Sequence, residues 1–82
     1  MRRYLVIIEP PDFEGDNFSA YVPDLPGCAA TGGTESEVIE QMMEAIEFHL
    51  EGMAADGEAI PEGTSRSVEV AVREPGVQRS AA

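Results

Sequence analysis

Fifteen residues, Tyr21-Val-Pro-Asp-Leu-Pro-Gly-Cys-Ala-Ala-Thr-Gly-Gly-Thr-Glu35, leave this chain few ways to fold. The run closes an apolar strand at Tyr21 and Val22 and turns at Asp24-Leu25-Pro26-Gly27. A second short strand follows through Cys28 to Thr31, then a break at Gly32-Gly33. Pro26 and Gly27 suit the two central positions of a type II turn, because proline presets the first φ and glycine accepts the positive second one. Thr34-Glu-Ser-Glu37 has the spacing of a capping box, in which the Thr34 hydroxyl accepts from the Glu37 amide and the Glu37 carboxylate reaches back. Strand, turn, strand and capped helix are thus specified by neighbours in sequence.

The flanking residues extend this pattern. Arg3 to Glu9 is an apolar run stopped by Pro10-Pro11, which predicts a buried central strand. Asp12 to Asn17 reads as a polar hairpin loop. Phe18, Ala20 and Val22 alternate with Ser19 and Tyr21, as in a half-buried strand. From Glu35 to about Met53, a helical period places Val38, Ile39, Met42, Met43, Ala45, Ile46, Leu50 and Met53 on one stripe. Gly57 is the expected terminator. Ser67 to Val72 alternates again, with Val68, Val70 and Val72 on one face, and predicts a fourth strand.

The expected fold is therefore α+β, in the order β-β-β-α-β. It is a four-stranded mixed sheet with one helix on one face, and the last strand runs parallel to the first. Residues 1–74 form the domain and 75–82 a flexible C-terminal tail.

Eighty-two residues support only one small core, worth typically ~3–5 kcal/mol, so association is the natural staple. One cysteine excludes an internal disulfide, and one histidine beside it leaves too few ligands for a zinc site. The apolar run after Met1-Arg-Arg is too short for a signal peptide or a membrane span. A cytoplasmic protein without membrane contact is the expectation.

Charge narrows the functional classes. Sixteen acids stand against five arginines and no lysine, and Tyr4 to Ser65 holds fourteen of those acids with not one Lys or Arg. Such a chain repels phosphate backbones and attracts basic partners, although the same acids also suit a solvated face. Direct nucleic-acid binding is not expected.

Individual residues say little for chemistry. His49 has no placed carboxylate or serine partner. Cys28 lacks a basic neighbour or helix start to activate it, and reads as a small buried filler. Asp12-x-Glu14-x-Asp16 begins like a calcium loop, but positions six and twelve are Asn17 and Pro23. No catalytic, cofactor-binding or metal-binding residue is expected, and the chain does not read as an enzyme.

The partner-binding candidates are Phe48, Glu40, Glu44, Glu47, Glu51 and Tyr21. Phe48 lies among the helix acids, where an aromatic suits an interface anchor, although a singly exposed apolar residue is also ordinary. Tyr21 falls on the helix-free sheet face, and Phe13 in the first loop has a weaker claim.

The residues Tyr21 to Cys28, Thr31, Gly33 and Thr34, with the helix through Glu44-Ala45-Ile46, resemble the signature of the HicB-like antitoxin domain of type II toxin–antitoxin systems. The strand Tyr4 to Ile8 and Gly63-Thr64-Ser65 fit as well, so the resemblance covers about residues 3 to 72. It implies a truncated ribonuclease H-like sheet. It also implies a module that neutralises a small basic ribonuclease toxin, HicA, by covering its RNA-binding, active face. A ribonuclease H-like two-metal site would need converging acids on strand centres, whereas Glu9, Asp12, Asp16 and Asp24 fall at strand ends and turns. Family members carry a separate C-terminal DNA-binding segment, and the ten residues after Val72 are too few for one, so the chain resembles a single-domain form. The alternative is a solitary HicB-like domain acting as a homo-oligomeric scaffold or regulator, a dimer or higher, without a toxin.

Overall fold

Two back-to-back reverse turns set the geometry of the whole domain. The Leu25 amide donates to the Val22 carbonyl at 3.1 Å, with Pro23 leading that turn, and the Cys28 amide donates to the Leu25 carbonyl at 3.0 Å, with Pro26 leading the next. Val22 N–H closes the loop onto the Cys28 carbonyl at 3.2 Å. Gly27 takes φ 85°, as the type II reading requires. A Cβ at Gly27 would meet no atom within 4 Å, so only backbone strain opposes a side chain there. Gly27→Ala is therefore expected to cost about 1 kcal/mol, seen as a lower thermal midpoint. The double turn also drives Leu25 inward, where it is fully buried.

The computed structural model describes residues 1–76. Strands β1 (Ile7–Glu9), β2 (Phe18–Tyr21) and β3 (Ala29–Gly32) form an antiparallel sheet in the order β1-β2-β3, followed by helix α1 (Glu35–Ala55). The register aligns Ile8, Ala20 and Ala30 across the sheet. These residues face the helix, and with Val22, Leu25, Cys28, Val38 and Met42 they build the core. Ile7, Tyr21 and Ala29 align on the opposite face.

Thr34 caps α1: its Oγ1 accepts from the Glu37 amide at 3.0 Å, while Glu37 Oε1 accepts from the Gly33 amide at 2.9 Å. The helix start presses so close that a Cβ on Gly32 would lie 2.6 Å from the Val38 nitrogen. Gly57, with φ 73°, ends the helix.

Three sequence expectations need correction. Among the described residues there is no fourth strand: Ser67 to Val72 pairs with nothing, and Val68, Val70 and Val72 are 83%, 72% and 79% exposed. Alternation marks a segment fit to pair, but pairing needs an edge beside it, which alternation does not supply. In consequence β1 lies at the sheet edge, not its centre, and the expected parallel pair is absent. It is also shorter than expected, because β2 gives way to the turn after Tyr21 and leaves Tyr4 to Val6 unpaired. Finally, α1 lies mainly over β3 and less over β2, so Ile39 and Met43, on its β1 side, stay exposed. The end of the expected tail, residues 77–82, lies outside the described residues.

Candidate partner-binding surface

Helix α1 presents its acids outward because the sheet claims the opposite stripe. Glu40, Glu44, Glu47 and Glu51 are all exposed. The one ion pair among the described residues is Arg2–Glu62 at 3.2 Å, which engages none of the four and is worth at most about 1 kcal/mol at the surface. Four carboxylates on about three turns of helix therefore make no ion pair among the described residues.

Phe48 stands beside this acidic row and is 78% exposed. It divides two shallow grooves. One is bounded by Ala29, Ala30 and Thr31 of β3 and by Gln41, Glu44 and Ala45 of α1. The other is bounded by Leu25 and Pro26 of the double turn and by His49, Gly52 and Met53. The exposed aromatic thus joins the acidic helix face to the free edge of β3. Gln41 escaped the sequence reading, although it lies seven residues before Phe48 and so on the same helical face.

Tyr21 is exposed on the far side of the sheet and does not meet the acidic row. Phe13 is exposed at the tip of the first loop. Cys28 is buried, and that burial pushes its thiol pKa up. Among the described residues no group of three His, Cys, Asp or Glu side chains is placed to hold a metal ion. No helix there is long and apolar enough to cross a membrane.

Asp24 has a partner that sequence reasoning did not find. Its Oδ1 accepts from the Ser65 hydroxyl at 2.7 Å and its Oδ2 from the Ser65 amide at 2.9 Å. Those two bonds, the side-chain one foremost, hold the Asp24 carboxyl below the usual carboxylate range. A depressed folded-state pKa adds stability above the ordinary carboxylate range and loses it as pH falls through the lowered value. Asp24→Asn is thus expected to flatten the acid side of the stability profile, measured as thermal midpoints at stepped pH. An equally steep acid limb would place the titrating group elsewhere.

A family model described as the HicB_like antitoxin of bacterial toxin-antitoxin system matches residues 4–81. The chain belongs to that family. Among its relatives, a UPF0150 protein of Synechocystis sp. is 34% identical over 58 residues, 71% of each chain. A UPF0150 protein of Thermoplasma acidophilum is 32% identical over 68 residues, 83% of this chain and 96% of the relative. An uncharacterized 14.9 kDa protein in the rep-hol intergenic region of Haemophilus phage HP1 is 42% identical over 60 residues. That match takes in 73% of this chain and 44% of the phage protein, so the chain spans less than half of that relative. No solved structure gives a significant match. In this HicB-like chain the Pro-Asp-Leu-Pro-Gly-Cys run is architectural: Leu25 and Cys28 fill the core, Gly27 makes the turn, and Asp24 holds Ser65.

Proposed function

We propose that this HicB-like chain is a cytoplasmic antitoxin module that binds a small basic HicA-type ribonuclease and covers its RNA-binding, active face. The observation that carries this reading is the exposed row Glu40, Glu44, Glu47 and Glu51, without an ion pair among the described residues, beside the exposed Phe48. An enzyme surface built to hold RNA is basic, and an acidic face with an aromatic anchor is its electrostatic complement. The chain's part is to dock without making or breaking a bond. Family membership supports that non-enzymatic role.

The test is to express the adjacent reading frame, expected to encode a small basic ribonuclease, and to titrate its RNA cleavage with the purified protein. Cleavage is expected to stop at a fixed stoichiometry. Phe48→Ala is expected to weaken the complex by about 10- to 30-fold, the scale of an interfacial aromatic anchor. Undiminished cleavage, with no complex in calorimetry, would reject the proposal.

A second reading is favoured by the exposed apolar side chains Ile39, Met43, Val68, Val70 and Val72: a homo-oligomeric scaffold or regulator that works without a toxin. Isolation of the protein from its own cells with copies of itself alone would support it. In either reading we take the sheet to be the truncated ribonuclease H-like form of the family, complete only when a fourth strand joins it.

A further inference from the structure

We propose that residues 66–76 form an arm that leaves its own domain and adds as a strand to the free edge of β1 in a second copy, giving a reciprocal dimer. The inference needs no toxin and holds under either functional reading.

The dimensions show the arm first. Helix α1, at 21 residues, spans about 31 Å. The molecule nevertheless extends 58 Å along its longest axis, and its radius of gyration is 17.3 Å against about 12 Å for a compact chain of this length. Every residue from Arg66 to Gly76 is exposed, and none is in helix or strand. Three valines at alternate positions in water are a strand face without a sheet.

The seat for that face lies on the same molecule. β1 is hydrogen-bonded on one side alone. Because α1 leans toward β3, it leaves Tyr4, Val6 and Ile8 half-buried on the helix side of that edge, and Ile39 and Met43 exposed above it. A strand laid beside β1 with its valines inward would fill the corner between these side chains. Charge does not oppose the seating: Arg66 and Arg73 balance Glu69 and Glu74, so the arm is neutral where the body carries fourteen acids.

The path of the chain favours exchange over folding back. Pro61 accepts from Tyr4 Oη at 2.6 Å, and Gly63 rests on the Arg3 carbonyl so closely that a Cβ would collide with its oxygen. The chain then reaches Ser65, which Asp24 holds in the turn after β2. That anchor lies on the β2 side of β1, away from its open edge. The arm would have to recross β1 to pair with it in its own copy, whereas a second copy related by a twofold axis presents the edge directly.

Sedimentation equilibrium of the full chain is expected to give twice its 8.8 kDa mass. Val68→Asp with Val70→Asp is expected to return it to a single mass with the helical circular dichroism retained, since both positions are exposed in the lone domain. A 1:1 mixture of isotope-labelled and unlabelled protein should show nuclear Overhauser contacts from the Val68 and Val70 methyls to Tyr4, Val6 or Ile8 between chains. A single-mass parent, a dimer indifferent to the double substitution, or contacts confined within one chain would each overturn the proposal.

Discussion

Leu25→Ala is expected to leave most of the chain unfolded at ambient temperature. The side chain is fully buried, and the double turn holds it there by three backbone hydrogen bonds, so the surroundings have little freedom to collapse into the gap. Truncating a buried leucine costs about 2–5 kcal/mol, and a core of this size is worth only about 3–5 kcal/mol in all. The check is helical circular dichroism under urea. The expected trace begins already partly unfolded or melts at a much lower denaturant concentration than the parent. A shift of less than about 1 kcal/mol would mean that Leu25 is not the keystone of the core.

The second large effect has opposite signs in two measurements. Glu40, Glu44, Glu47 and Glu51 changed together to Gln remove like charges three and four residues apart on α1, each such pair worth about 0.2–0.5 kcal/mol of repulsion. The isolated domain should therefore melt a few degrees higher. Association with a basic ribonuclease should fall about 10-fold or more in rate and lose most of its salt dependence, with dissociation changed less. A domain that gains stability but keeps its association rate would show that the acids serve solubility alone.

What could be read from the sequence was what neighbours decide. The Pro26-Gly27 turn, the Thr34 cap and the Gly57 stop each depend on residues within one turn of chain, and each stands in the structure. The exposed row of glutamates and Phe48 followed from helical period alone. What was hidden depends on distant partners. Ser65 is forty-one residues from Asp24, and neither residue type announces the other. Gly32 looked like a simple break, whereas the helix backbone needs the room its missing Cβ leaves. The exposure of Ile39 and Met43 depends on which strands the helix covers, and periodicity gives a helix a sticky side without saying what it meets. The same holds for Ser67 to Val72, whose alternation is right for a strand and silent about whose sheet it joins.

Cys28 has one further consequence. Its sulfur is enclosed beneath the double turn and kept in the uncharged thiol form that electrophiles attack slowly. An alkylating reagent can reach it only when that enclosure opens, so the chain carries a built-in tamper seal whose labelling rate reports how often the interior is breached.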